Sequence, residues 1–195
     1  MRSAQLVRTT KETDIVLSLT VDGTGKAEID TGCGFMDHML TLFASHGRFD
    51  LKISCRGDTK VDYHHTTEDL GIVLGTAFKE ALGDKKGIAR YGYMVLPMDE
   101  ALILSAVDFS GRASLNYGLS VPAEKIGDFD SELAEEFWHA FVRTAECSLH
   151  FIELSGCNSH HIIEGAFKSA ARSIRMAAAY DAAYAGEIPS TKGSL

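Results

Sequence analysis

The sequence predicts an α+β fold made twice over: two tandem repeats of a small β-sheet with two helices packed on one face, related by an internal pseudo-twofold duplication. Three observations lead there. The run His64-His65-Thr66-Thr67-Glu68 returns almost intact as His160-His161-Ile162-Ile163-Glu164, in a chain with only eight histidines. The order helix, strand, loop, helix surrounds both runs, and setting His38 against Glu136 brings Leu51 onto Leu149 without a gap. Strand-like alternation precedes each copy, and a sheet with its helices gathered on one face satisfies that order. The division falls between residues 1–90 and 91–195.

In the first half, Ile15, Leu17 and Leu19 alternate with polar residues, Asp22-Gly23-Thr24-Gly25 reads as a turn, and Ala27 and Ile29 resume the alternation, so a hairpin is expected. Asp37-His38 opens an apolar helical stretch through Met39, Leu40, Leu42 and Phe43. Phe49, Leu51 and Ile53 form a strand, and after a loop His64-His65 opens a helix through Leu70, Val73, Leu74 and Phe78. In the second half, Leu102, Leu104, Ala106 and Asp108 alternate, and Ala113, Leu115 and Tyr117 follow the Ser110-Gly111 turn as a second expected hairpin. Glu135-Glu136 opens a helix through Phe137, Trp138, Phe141 and Val142. A strand at Leu149, Phe151 and Leu154 leads through the loop Ser155-Gly156-Cys157-Asn158 to His160-His161 and a helix through Ile163, Phe167 and Ile174. This loop is two residues shorter than its counterpart, as loops readily are.

A chain of 195 residues with 45% hydrophobic side chains has room for one sizeable core or two small ones. A net charge of −8 opposes nonspecific binding to nucleic acid or to an anionic membrane. No apolar run spans a bilayer, and Met1-Arg2-Ser3-Ala4-Gln5 lacks a signal-peptide pattern. Cys33, Cys55, Cys147 and Cys157 have no Cys-x-x-Cys spacing, which disfavours a zinc knuckle and fits free thiols in a reducing cytoplasm. Pro189 to Leu195 reads as a tail.

The histidine runs carry the chemistry. Residues three and four apart share a helix face, so Glu68 lies near either histidine before it, and Glu164 likewise. Adjacent histidines point about 100° apart on a helix, so one pair does not readily serve a single ion from one face. Two pairs suit two metal sites, each drawing imidazole and carboxylate from both copies. His38, ahead of an apolar helix, is the next candidate ligand. Its repeat partner Glu136 is a ligand candidate too, although an acid there also reads as favourable charge at a helix N-terminus. Imidazole and carboxylate without thiolate suit manganese, iron, nickel or zinc, and the hard oxygen donors favour manganese or iron. His46 is a candidate for the pocket wall, whereas His139 and His150 read as structural.

An acidic protein needs local positive charge to hold a phosphate. Candidates are Arg90 between the halves, Arg112 after the Ser110-Gly111 turn, Lys168 and Arg172 one turn apart on the last helix, and Lys192 in Ser190-Thr191-Lys192-Gly193. Arginine offers the planar fork that suits phosphate.

Five ordered motifs carry a family likeness: Asp37-His38-Met39-Leu40, His64 to Asp69, Pro97-Met98-Asp99-Glu100-Ala101, Asn158 to Glu164, and Ser190 to Gly193. Together they resemble imidazoleglycerol-phosphate dehydratase in its stand-alone form, over nearly the whole chain from Arg8-Thr9-Thr10-Lys11-Glu12-Thr13 onward. The chain has neither the length nor the Asp-x-Asp-x-Thr motif of relatives fused to a phosphatase.

The resemblance implies a duplicated α+β fold, a 24-subunit shell, two Mn2+ per active site and sites shared between chains. It implies that His38, His64, His65, Glu68, His160, His161 and Glu164 are ligands. Many relatives have histidine where this chain has Glu136. Arg90, Arg112, Ser190 and Lys192 match positions that hold the substrate, chiefly its phosphate, and Glu12 matches a substrate-contacting acid near the N-terminus; Thr191, His46 and Lys168 are further substrate-binding candidates. The implied reaction removes water from imidazoleglycerol phosphate to give imidazoleacetol phosphate, through a metal-bound imidazolate and a diazafulvene-like intermediate, with Glu12 moving protons. Asp69 and Asp99 are alternative bases, or orient histidine N–H groups. Two competing classes are a dinuclear metallohydrolase, which would release inorganic phosphate, and a non-catalytic metal-binding shell, which would dissociate on chelation.

Overall fold

The computed structural model describes residues 1–195 and has the expected α+β architecture. Its elements are β1 (Ser3–Thr9), β2 (Thr13–Thr20), β3 (Ala27–Asp30), α1 (Gly34–Gly47), β4 (Asp50–Gly57), α2 (His64–Leu82), β5 (Tyr91–Met98), β6 (Ala101–Asp108), β7 (Ser114–Gly118), β8 (Lys125–Ile126), β9 (Phe129–Asp130), α3 (Leu133–Ala145), β10 (Ser148–Ser155) and α4 (Ser159–Ala178). Two four-stranded sheets form, in the orders β1-β2-β4-β3 and β5-β6-β10-β7. Each strand of the first sheet has its counterpart in the second, so the duplication read from the histidine runs extends to the topology.

The two expected hairpins are not hairpins. β4 lies between β2 and β3, antiparallel to the former and parallel to the latter, and β10 divides β6 from β7 in the same way. The cause is visible at Asp50, whose Oδ1 accepts the N–H groups of Thr24, Gly25 and Lys26. These bonds fold the turn onto the start of β4. The parallel β3–β4 pair then requires the crossover that α1 supplies. The true hairpins are β1–β2 and β5–β6, whose outer strands the apolar alternation did not reveal.

The inward face of β6 is also the opposite of that expected. Ala101, Ile103 and Val107 are buried, while Leu102, Leu104 and Ala106 face outward. Both faces of β6 are apolar, so the period of two left the choice of face open. Leu154 is exposed because the β6–β10 ladder slips between Glu153 and Ser155.

The four long helices lie on the inner faces of the sheets and cross between the halves. Trp138 of α3, fully buried, packs on Phe43 of α1, Phe141 of α3, Phe151 of β10 and Phe167 of α4, with ring centroids 4.8–6.2 Å apart. At Gly71 and Gly75, α2 meets α3 so closely that a Cβ would stand 2.4 Å from the carbonyl oxygens of Phe137 and Phe141 respectively. In the same way α1 lies against α4, so His38 from the first half meets the histidine run of the second.

Candidate metal and substrate site

The second histidine run is held at the start of α4. Asn158 caps the helix, its Oδ1 accepting the N–H groups of His160 and His161. One turn on, Glu164 is only 5% exposed. Its Oε2 lies 3.0 Å from His160 Nε2 and 3.3 Å from His38 Nε2. The edge of Phe35 fixes the His160 ring, with centroids 5.4 Å apart. One donor atom from each of His38, His160 and Glu164 lies within 4.8 Å of the others. Burial alone would raise the Glu164 pKa. The Lys168 ammonium on Oε1, with His160 and His38, outweighs it and holds the carboxyl below its ordinary value. The result is an anionic oxygen and two imidazole nitrogens converging on one point, a donor set that fits a hard or borderline divalent ion.

His161 turns away from this cluster. Its ring stands at 83° to that of His160, and its Nδ1 lies 2.7 Å from Glu100 Oε2. Glu100 also accepts the N–H of Asn158, and the hydrogen bond with His161, followed by that N–H, holds its carboxyl down at about 2. The first run behaves alike: His64 and His65 are 89° apart, and His65 Nδ1 lies 3.0 Å from Asp58 Oδ2. Asp58 raises the pKa of His65, and Glu100 that of His161. A carboxylate on Nδ1 favours the tautomer in which Nε2 is the free donor to an ion. Near those Nε2 atoms lie two further acids, Glu12 at 3.7 Å from His65 and Asp99 at 3.8 Å from His161.

The remaining candidates are not gathered. Glu68 Oε1 pairs with Arg143 at 3.0 Å instead of with His64. Glu136 is half-buried at the start of α3, the helix packed on α2, and forms no side-chain hydrogen bond or ion pair. The basic residues fall into two groups. On one, His46 faces Lys168 and Arg172, and burial followed by these two cations lowers its pKa. In the other, Arg90 grips both carboxylate oxygens of Asp108 at 2.7 and 3.3 Å and donates to the Pro189 carbonyl, tying down the tail that carries Ser190, Thr191 and Lys192. Arg112 Nη1 donates to the Ser110 carbonyl nearby. This second group sits at the Asp108 end of β6, and His161 with Glu100 at the Ala101 end. The eight residues of β6 span about 24 Å at about 3.4 Å per residue.

Sequence reasoning missed Asp58, Glu100 and Arg143. Only Glu100 had a signal, its place in the Pro97–Ala101 motif.

The sequence profile described as imidazoleglycerol-phosphate dehydratase matches residues 31–174. The chain belongs to the imidazoleglycerol-phosphate dehydratase family. Membership makes it a dehydratase, a hydro-lyase. The imidazoleglycerol-phosphate dehydratase of Methylorubrum extorquens is 56% identical over 195 residues, with 100% of each chain covered. That of Xanthobacter autotrophicus is 55% identical, covering 100% of this chain and 99% of its own. Among solved structures, the Staphylococcus aureus dehydratase superposes with a TM-score of 0.84 at 41% identity, covering 92% of this chain and 99% of its own. The Pyrococcus furiosus dehydratase gives 0.85 at 37%, covering 97% and 100%. The dehydratase profile spans His38 to Glu164 and leaves Glu12 and the Ser190–Lys192 tail to the full-length relatives.

Proposed function

We propose that this hydro-lyase converts imidazoleglycerol phosphate into imidazoleacetol phosphate in histidine biosynthesis, with two Mn2+ per active site. The observation that carries the metal assignment is the convergence of His38, His160 and Glu164 on one point. By repeat register, Glu136, His64 and Glu68 are the corresponding trio. His65 and His161, with Nδ1 engaged by Asp58 and Glu100, offer Nε2 as further donors. Bound there, the two ions supply Lewis-acid stabilisation of charge on the imidazole ring of the substrate.

The chain's own groups do the rest. Glu12, half exposed at the β1–β2 turn, takes and returns the carbon proton as a general base and acid. Glu68 and Glu164, committed as ligands, are poor bases. Lys168 and Arg172, beside His46, whose pKa burial and these two cations lower, form a patch for an anionic group next to the His38 cluster. Arg90, Arg112, Ser190, Thr191 and Lys192 form a second phosphate-binding group. With about 24 Å between that group and His161, one chain does not bring both onto one small substrate. That separation supports a reading in which the active site is completed between chains of a homo-oligomer, as a 24-subunit shell would allow.

The deciding experiment measures turnover of imidazoleglycerol phosphate by metal-stripped protein before and after Mn2+ is restored. Formation of the ketone product only with the metal supports the reading. Release of inorganic phosphate would transfer it to hydrolysis, and unaltered turnover in stripped protein would remove the metal role.

A further inference from the structure

The duplicated scaffold is asymmetric at the turn that carries Glu12. In the second half, β5 and β6 are joined by the two-residue turn Asp99-Glu100, with Asp99 in the left-handed region at φ 51°. In the first half the turn is longer, Thr10-Lys11-Glu12, and side chains brace it. Thr10 Oγ1 accepts the N–H groups of Glu12 and Thr13 at 3.1 and 2.9 Å. Thr13 Oγ1, on the far side of the turn, donates to Asp69 Oδ2 at 2.5 Å. Arg8 Nη2, on the near side, meets Asp69 Oδ1 at 2.8 Å. Asp69 is 6% exposed, and both its oxygens are committed to the two strands that enter and leave the turn. Repeat register places Gly165 opposite Asp69, so the second half has no such clamp.

Asp69 also lies four residues after His65 on α2, hence on the same helix face. One face of one helix therefore holds the imidazole 3.7 Å from the Glu12 carboxylate and grips the base of the turn from which that carboxylate projects. The Asp58 N–H donates to the Glu12 carbonyl at 3.0 Å, while the Asp58 side chain meets His65 Nδ1. Turn, loop and helix thus form a closed ring around Glu12.

We propose that Asp69, acting through Thr13 and Arg8, is a positioning residue that sets the place of Glu12 relative to His65. The inference rests on the proton-transfer role given to Glu12 above. Asp69 touches no reacting atom. A catalytic group displaced by about 1 Å loses on the order of 100-fold in rate, which is the effect the clamp prevents.

Asp69→Asn risks misfolding, because it leaves Arg8 without its anion, so the hydroxyl partner is the better probe. Thr13→Val removes the donor to Asp69, and Thr13→Ser keeps it. In the Mn2+-loaded protein, Thr13→Val should lower kcat by about 10-fold or more, with KM and bound Mn2+ unchanged, and Thr13→Ser should restore the rate. Hydrogen exchange followed by mass spectrometry should show faster exchange in Thr13→Val confined to the peptide containing Thr10 to Thr13. An undiminished kcat in Thr13→Val, a loss appearing in KM or metal content, or exchange spread through α2 would overturn the positioning role. Glu12→Gln separates the two readings. Full activity there removes Glu12 from the mechanism and the clamp's purpose with it. A dead Glu12→Gln beside a fully active Thr13→Val overturns the clamp alone.

Discussion

Replacing Glu164 with glutamine tests the centre of the proposed metal site. The amide keeps the shape of the side chain and removes its charge. In the metal-free protein the chief loss is the charge-assisted hydrogen bond to Lys168, between side chains only 7% and 15% exposed. Such a bond contributes about 1.5–3 kcal/mol, and burial of both partners places this one near the middle, about 2 kcal/mol. For a chain of this length, 1 kcal/mol moves Tm by roughly 2–4 °C, so metal-stripped Glu164→Gln should melt about 4–8 °C below the native chain at pH 7. The pH dependence has a definite sign. The folded pKa is lowered, so the contribution is full above the unfolded value of about 4.3 and disappears as pH falls through the folded value. The melting difference should therefore shrink on acidification below that range. Metal binding should suffer more, because a ligand is lost: partners that merely orient ligands already cost about 10–100-fold in affinity when removed. Calorimetric melts of stripped protein and Mn2+ titration together make the assay. A variant that melts within about 1 °C of the native chain and binds Mn2+ with undiminished affinity would refute the argument.

Three further outcomes are expected. His64→Ala or His160→Ala should abolish turnover and reduce bound metal, and full activity with full metal content in either would remove that residue from the ligand set. Lys192→Ala should raise KM with kcat little changed, as loss of a phosphate contact requires, whereas an unchanged KM would free the tail from that role. Because Asp58 and Glu100 raise the pKa values of His65 and His161, protons compete with the metal at higher pH than for an ordinary histidine of about 6.5. Mn2+ affinity should begin to fall on acidification from above that value. In the metal-free chain the charged pairs stabilise at low pH and lose their effect as pH rises through the raised pKa. Glu100→Gln should move the onset of weakened Mn2+ binding, followed by titration at several pH values, toward the ordinary value, and an unmoved onset would show that the pairing does not control it.

What the sequence made legible was what is local or duplicated. His160 and Glu164 are four residues apart on one helix, so their meeting needed only the period of 3.6. His38 joins them across 126 residues, and that pairing was approachable because repetition marked both ends. The sheets were harder. β1 and β5 are edge strands whose alternation is weak, and β6 is apolar on both faces, so neither its partner nor its inward face could be read from its own residues. Asp58, Glu100 and Arg143 act through contacts that exist only once hairpins and helices have packed; nothing in their immediate neighbours distinguishes Asp58 and Arg143 from surface charge, and Glu100 is marked only by its place in the Pro97–Ala101 motif. The same reasoning explains why one half of the candidate site is assembled and the other is not. The His38 cluster closes because α1 lies against α4. Its counterpart has the helices α2 and α3 in the matching arrangement, but Arg143 occupies Glu68 and Glu136 is unengaged. A half-buried glutamate held by one exposed arginine is weakly committed, since such surface pairs contribute about 0–1 kcal/mol. A divalent ion presented with His64 must displace Arg143, at little cost, whereas Glu164 already turns Oε2 toward His38 and His160 while Lys168 is held on Oε1. The two halves, alike in topology, should therefore differ in how readily their metal exchanges.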